Sequence, residues 1–246
     1  MQLAFVIPAY NEENLIRLCL ESVIREIEQS GIQAEIIVVD NASTDKTGEI
    51  ASSYANVRVL TENKKGPTFA RETGFGATEA ELVAVIDADT ILPEGWINKV
   101  LSIFAKKPEL VGVSGPYIYY DLSFWNRLLV RCFYFLSFLV YLMVRFVFRA
   151  GSMVQGGNLV MRRKAWIEAG GYDTSIEFYG DDTDVAVRLS KIGPVKWTFK
   201  LPMLTSGRRL GGEGVFKTAG TYTLNYFWVI LWGRPVTKKY NDIRPE

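Results

Sequence analysis

Asp87 and Asp89 are the two side chains of this sequence best set to do chemistry. They follow an apolar run, residues 82–86, that reads as a strand buried on both faces. The pair therefore stands at a strand's carboxyl end, the edge of an open α/β sheet outside which ligands bind. Two carboxylates one residue apart repel each other unless a cation lies between them. A hard divalent ion carrying a substrate's phosphates meets that need. A strand-end turn with solvated carboxylates is the alternative that this stretch alone leaves open.

A second acidic group, Tyr179-Gly180-Asp181-Asp182-Thr183-Asp184, opens a helix whose apolar side is Val185, Ala186, Leu189 and Ile192 and which Gly193 closes. One carboxylate at a helix N-terminus is a cap or a partner of the dipole. Asp184 pairs with Arg188 at i,i+4 spacing. Asp181 and Asp182 together exceed what capping needs. The sequence contains no His, which removes imidazole-based acid/base catalysis and most zinc chemistry and leaves proton transfer to Asp, Glu, Lys, Tyr or Cys. Gln155-Gly156-Gly157-Asn158 precedes a short apolar strand, and its glycines permit close backbone approach to a ligand.

These groups need elements to position them. Residues 3–7 read as a first strand ended by Pro8. Asn11 reads as the N-cap of a helix with apolar residues from Leu15 to Ile27 at helical spacing, closed by Gly31. Residues 35–39 form a second strand, which hands over to the turn-rich loop 40–45. A helix to about Tyr54, a strand at 57–60 and a helix opened by Lys64-Lys65-Gly66-Pro67 lead to the central strand. Strands alternating with helices over short loops predict a parallel, doubly wound sheet. Three strand ends, at 8–12, 40–45 and 87–89, then converge on one crevice. There is no GxGxxG and no GxxxxGK[ST], which argues against a dinucleotide oxidoreductase and a P-loop NTPase. A phosphate-bearing ligand in so acidic a crevice needs a metal or the basic residues Lys64, Lys65 and Arg71.

The formal net charge of +1 gives no global field for nucleic acid, and no nucleic-acid partner is expected. Cys19 and Cys132 lie in dissimilar apolar contexts and suggest neither a disulfide nor a metal site. The N-terminus has no basic segment and only a short apolar run, so no signal peptide is expected there.

Pro8-Ala9-Tyr10-Asn11-Glu12, the loop 40–45, Asp87-Ala88-Asp89, Gly156-Gly157-Asn158 and Gly180-Asp181-Asp182-Thr183-Asp184 stand in the order and spacing of the family 2 inverting glycosyltransferases, which residues 1 to about 210 resemble. The resemblance implies a GT-A fold: an α/β, Rossmann-like mixed sheet flanked by helices, with a nucleotide-sugar-binding half at 1–90 and an acceptor half at 91–215. It implies a nucleotide-sugar donor, a UDP-sugar in preference to GDP-mannose, and Mg²⁺ or Mn²⁺. Pro8, Tyr10 and Glu12 resemble the positions that cup the nucleoside. Asp40 resembles the carboxylate that reads the base, Arg71 the basic residue near it, Asp87 the ribose-side carboxylate and Asp89 the metal ligand. Asp182 matches the general base of the family's Glu-Asp pair. Asp181 is a departure from that pair and, with Gly157 and Asn158, is expected on the acceptor side. The Gln-x-x-Arg-Trp motif of processive polysaccharide synthases is absent. Ser206-Gly207-Arg208-Arg209 reads as a mobile basic loop that closes on the donor diphosphate or holds an acceptor phosphate, a solvated charge pair being the alternative.

Two apolar segments complete the chain. Within the long helix expected at about 123–150, residues 132–144 carry no charge. At ~1.5 Å per residue they span roughly 20 Å, short of a ~30 Å hydrocarbon core. A crossing there would also separate Asp182 from Asp89. Arg127, Arg131, Arg145 and Arg149 fall within about 40° on one helical face, which suggests an interfacial helix with snorkelling arginines. A buried core helix and a dimer interface are the alternatives. Residues 222–232, rich in aromatics and flanked by Lys217, Arg234, Lys238 and Lys239, read as a second anchor within a C-terminal amphipathic, membrane-associating segment, 216–246, whose tail is loose. The expected protein is a metal-dependent transferase, peripheral or monotopic on the cytoplasmic side of the cell membrane, with a lipid or lipid-linked acceptor. A soluble homodimeric transferase with a saccharide acceptor and a non-catalytic nucleotide-sugar-binding scaffold are its rivals.

Overall fold

A computed structural model of the chain describes residues 2–144 and 153–237. In chain order the elements are β1 (Leu3–Ala9), α1 (Ile16–Ser30), β2 (Ala34–Asp40), α2 (Thr47–Ser52), β3 (Val57–Thr61), α3 (Pro67–Gly76), β4 (Leu82–Ile86), β5 (Thr90–Ile91), α4 (Trp96–Lys106), β6 (Gly112–Ser114), β7 (Tyr117–Tyr119), α5 (Phe124–Met143), β8 (Asn158–Arg162), α6 (Arg163–Glu168), α7 (Asp181–Ile192), β9 (Val195–Trp197), β10 (Met203–Thr205), α8 (Arg208–Glu213) and α9 (Val215–Trp232).

Seven strands form the main sheet in the order β3-β2-β1-β4-β8-β6-β9. The first four are parallel. β8 runs antiparallel to both β4 and β6, and β6 is parallel to β9. Strand–helix alternation accounts for the parallel part, and the sheet as a whole is mixed, as the family resemblance implies. An apolar run reports that a strand is covered, not which way it points. β5, β10 and β7 make a second, three-stranded sheet. Alternate residues of the central strands enter opposite cores, as the two-residue period requires. Phe5 and Ile7 meet α1 and α4 through Leu20, Trp96 and Phe104, whereas Val6, Val83 and Val85 meet α3, α6 and α7 through Phe75, Trp166 and Leu189.

Gly31 closes α1 in the left-handed region, its N–H donating to the Ile27 and Glu28 carbonyls. Asn11 is not the N-cap of that helix, because α1 begins five residues later and Asn11 binds another loop. α5 packs through Val130, Tyr134 and Tyr141 onto Trp197. Its remaining surface exposes Trp125, Leu128, Leu129, Phe135, Leu136, Leu139 and Met143. Its 20 residues are long and apolar enough to cross a membrane. It stays tied to the domain, however, since the Tyr134 and Tyr141 hydroxyls accept hydrogen bonds from the Tyr117 and Trp197 amides. Arg127 and Arg131 are exposed, while Arg145 and Arg149 lie outside the described residues, as do Lys238 and Lys239. α9 lies against α5 and exposes Phe216, Leu224, Leu231 and Trp232. Val236 and Thr237 are held by the buried Asn225 side chain, so the start of the tail is fastened rather than loose.

Candidate active site

The loops after β1 and β2 lock each other at the sheet's carboxyl edge. Asn11, at φ 51°, accepts from Thr44 N (2.9 Å), Glu12 N donates to Thr47 Oγ1 (2.7 Å) and Glu13 N donates to Asp45. Asn41 ties in the loop before α3: its Nδ2 donates to the Glu62 and Lys64 carbonyls and its Oδ1 accepts from Gly66 N. Side chains that satisfy loop amides in this way replace the ladder bonds such a loop lacks. Pro8, Tyr10 and Glu12 line the resulting cavity. Lys65 lies over the Tyr10 ring, 3.9 Å from its centroid. Asp40 does not line the cavity. Its carboxylate accepts from Ser43 N and packs against α2, and the neighbouring Asn41 takes the place on the wall.

Asp87 and Asp89 enter from the end of β4. Gly157 N donates to the Tyr117 hydroxyl (2.8 Å), which donates to Asp87 Oδ2 (3.2 Å). A Cβ on Gly157 would stand 2.0 Å from that same oxygen, so the glycine makes room for the carboxylate rather than for a ligand alone. Arg71 joins the two halves of the site. It pairs with Asp87 (3.4 Å) and, through its other terminal nitrogen, with Asp181. Its side chain is 9% exposed. Arg71 thus bridges a carboxylate from the end of β4 and one from the start of α7, and does not approach Asp40 through any contact the structure gives. Asn158 does not reach the cavity. It is fully buried in β8 and donates to the Gly115 and Leu201 carbonyls (3.1 and 2.9 Å), which secures the cavity floor.

Asp89 accepts from Thr205 Oγ1 (3.3 Å) and pairs with Arg208 Nη2 (3.1 Å). Arg208 also pairs with Glu12. Burial pushes Asp89 up to about 6 and Asp87 adds to the effect, while Arg208 opposes it. The segment expected to be a mobile loop is instead the start of α8, fastened where Asp121 accepts from Ser206 Oγ and Gly207 N. Arg209 pairs with Glu213 (3.7 Å) and lies over the Phe178 ring. Both arginines line the cavity.

Gly180, at φ 86°, precedes α7, and a Cβ there would meet Val229 of α9 at 2.9 Å. Glycine therefore allows both the turn and the close seating of α9. Asp182 follows in the first helical turn, where Thr183 N donates to it (2.7 Å). Burial raises it to about 7, with the neighbouring Asp181 carboxylate adding to the effect and Thr183 and Arg71 opposing it. Burial also raises Asp181 against the pull of Arg71. Arg71 pairs with Asp87 and Asp181 but not with Asp182, so burial keeps Asp182 raised near neutrality. Asp184 and Arg188 pair as expected, and Arg188 also donates to the Ala169 and Gly171 carbonyls.

One cavity of about 510 Å³ holds all of this. Its polar lining is Glu12, Arg71, Asp87, Asp89, Asp181, Asp182 and Arg208; Val130, Phe133, Leu136 and Val140 of α5 and Ala219, Tyr222 and Phe227 of α9 also line it. Tyr117 and Tyr119 are wall residues that the motifs did not flag; the run Tyr117-Ile118-Tyr119-Tyr120 was the available signal.

The donor set fits a hard divalent cation. Asp89 and Glu12 direct carboxylate oxygens at one cationic group, which here is the Arg208 guanidinium. Among the described residues no group of three or more His, Cys, Asp or Glu is arranged to hold a metal. A Mg²⁺ or Mn²⁺ ion would therefore take its remaining ligands from a substrate's phosphates and water, the usual arrangement for such ions.

Comparison with known proteins gives a family and a fold. The profile of glycosyl transferase family 2 matches residues 4–170. The glycosyltransferase GlyG of Streptococcus pneumoniae is 33% identical over 129 residues, 50% of this chain and 42% of that protein. The glycosyltransferase AglE of Haloferax volcanii is 32% identical over 120 residues, 46% and 39% of the two chains. The matches thus span less than half the length of these relatives. Among solved structures, the mannosyltransferase PcManGT from Pyrobaculum calidifontis, in complex with GDP-Man and Mn²⁺, superimposes with a TM-score of 0.69 at 19% identity, over 93% of this chain and 64% of that one. TarS 1-349 of S. aureus in complex with UDP-GlcNAc gives 0.62 at 14% identity, over 84% and 58%. The shared architecture is the GT-A fold.

Proposed function

The chain belongs to glycosyl transferase family 2, and from that premise we propose that it is an inverting glycosyltransferase that moves a sugar from a nucleotide-diphosphate sugar to a lipid-linked or polyprenyl-phosphate acceptor at a membrane surface. The observation that carries this reading is the continuity of the cavity from its carboxylates to the apolar wall of α5 and α9. A soluble saccharide has no use for that wall, whereas an isoprenoid or acyl chain does.

The donor enters against Pro8, Tyr10, Asn41 and Lys65. Asp89, with Glu12 beside it, would hold Mg²⁺ or Mn²⁺, which when bound supplies charge stabilisation for the leaving diphosphate. Arg208, released from Asp89, is within the same wall to meet the diphosphate. Inversion requires the acceptor to attack the anomeric carbon from the face opposite the leaving group. Asp182 is the base for a hydroxyl acceptor and a positioning group for an acceptor phosphate already ionised. A UDP-sugar is the favoured donor and GDP-mannose the other candidate. The exposed apolar residues of α5 and α9 support attachment to a membrane as a peripheral or monotopic protein; the cytoplasmic face is the side proposed.

The test is transfer of a radiolabelled sugar to polyprenyl phosphate in vesicles, beside soluble saccharide acceptors, by wild type and Asp182→Asn. Labelled lipid that depends on Asp182 supports the reading. Label confined to soluble saccharides would favour a soluble enzyme in which α5 serves a dimer.

A further inference from the structure

Away from the reaction crevice, a second cleft lies between α4 and the loop after β9. Lys99, Ser102, Ile103 and Lys106 line it from one face of α4, followed by Lys107; Lys196, Thr198 and Lys200 line it from the other side. Five of its ten lining residues are lysines and none is acidic, aromatic or arginine. In a chain whose formal net charge is only +1, this is a marked local concentration of one sign. Lys99, Lys106, Lys107 and Lys200 are exposed, and among the described residues none of these four joins an ion pair. Lys196 stands on the edge strand β9, where a lysine also discourages sheet extension. That role needs one lysine, not five.

The cleft adjoins the apolar surface of α5. Phe199, 46% exposed, stands between Thr198 and Lys200. Its ring packs on Phe138 of α5 (5.3 Å between centroids) and edge-on to Trp197 (4.6 Å). The loop thus joins charged cleft and apolar helix into one continuous surface. The chemistry of the cleft selects its partner. Flexible ammonium groups without an arginine fork offer no bidentate grip on a single phosphate. A cleft without aromatic rings offers no stacking for bases. Spread-out lysines beside exposed apolar side chains match a bilayer that carries anionic headgroups.

We propose that this lysine cleft is an electrostatic anchor for anionic lipid headgroups, acting beside α5 to fix how the enzyme sits on the membrane. The proposal rests on the membrane-surface reading above. Apolar anchoring by α5 and α9 supplies contact with any bilayer, and the cleft supplies preference for an anionic one.

The experiment is co-sedimentation of the protein with vesicles of neutral phosphatidylcholine and with vesicles that also contain phosphatidylglycerol. Wild type is compared with a Lys99→Ala, Lys106→Ala, Lys107→Ala, Lys200→Ala variant and with a Trp125→Ser, Leu128→Ser, Phe135→Ser variant. At roughly fivefold per lysine close to an anionic surface, replacing four is expected to weaken binding to anionic vesicles by roughly two to three orders of magnitude while neutral vesicles bind as before. Raised salt should reduce the wild-type preference in the same way. The α5 variant should lose affinity for both vesicle types. Equal wild-type affinity for the two vesicle types, or an anionic preference that survives in the lysine variant, overturns the proposal and leaves the membrane reading standing. Wild type that binds neither vesicle overturns both. Capture by a soluble polyanion at these lysines, with no preference between vesicles, overturns it in favour of a polyanionic partner.

Discussion

Nη2 of Arg208 lies 3.1 Å from Oδ2 of Asp89, and the same nitrogen hydrogen-bonds Glu12. A residue 119 positions away in sequence thus neutralises the carboxylate to which the family resemblance assigns the metal. Arginine and a divalent ion then compete for one seat. Arg208→Ala is expected to strengthen Mn²⁺ binding without nucleotide, on the order of tenfold at pH 8, and to lower transfer. Mn²⁺ titration followed by electron paramagnetic resonance measures the first effect; unchanged affinity would remove Arg208 from the seat.

Arg71 is the buried link between Asp87 and Asp181. Arg71→Met leaves Asp181, whose side chain is 10% exposed, without its cation. Breaking a buried pair by removing one partner costs about 3–5 kcal/mol. A melting temperature lower by on the order of 10 °C is expected from calorimetry. Arg71→Lys keeps the charge but not the two-pronged reach, and should fall between. A variant as stable as wild type would show that the bridge contributes little.

Gly157→Ala puts a methyl group 2.0 Å from the Asp87 carboxylate as it now stands. The carboxylate must move, so nucleotide binding should weaken at least roughly tenfold with the melting temperature nearly kept. Isothermal titration and thermal melting separate the two. Unchanged binding would mean that Asp87 does not touch the donor.

Asp182, raised to about 7 by burial and Asp181, must be deprotonated to act as a base. Transfer to a hydroxyl acceptor should therefore fall as pH drops through about 7, by roughly a decade per unit below it, and Asp182→Asn should be slower by about 10²–10⁴ without that inflection. With a phosphate acceptor the attacking oxygen is already ionised, and the inflection and much of the Asp182→Asn defect should disappear. An Asp182→Asn enzyme that keeps both rate and inflection with a hydroxyl acceptor would assign the base to another residue.

The parts visible in the sequence were those with long, uniform signals. β1 and β4 are apolar runs that end at their motifs, and β2 is one from Ile36 to Val39, so the convergence of 8–12 and 87–89 on one crevice was legible. β6, β7, β9 and β10 have three residues each and β5 has two, too few for a period to register. The reversal of β8 depends on which neighbour completes its hydrogen bonds, which hydrophobicity does not encode. Asn158 was expected on the acceptor side because it stands in the Gly156-Gly157-Asn158 motif of the resemblance, but the Gly115 and Leu201 carbonyls claim its amide. Asp40 ends a strand as Asp87 nearly does, yet its loop turns it toward Ser43 and α2. Pairs such as Arg71–Asp181 and Arg208–Asp89 span more than a hundred residues, and only folding brings them together.

The proposed activity requires the Asp89 crevice to hold a nucleotide diphosphate through a divalent ion. The most direct measurement is calorimetric titration of UDP and GDP, with and without Mn²⁺, into wild type and Asp89→Ala. Expected is binding of one nucleotide that requires Mn²⁺ in wild type and vanishes in Asp89→Ala while the variant remains folded. Binding indifferent both to Mn²⁺ and to the loss of Asp89, or no binding of either nucleotide, would contradict it.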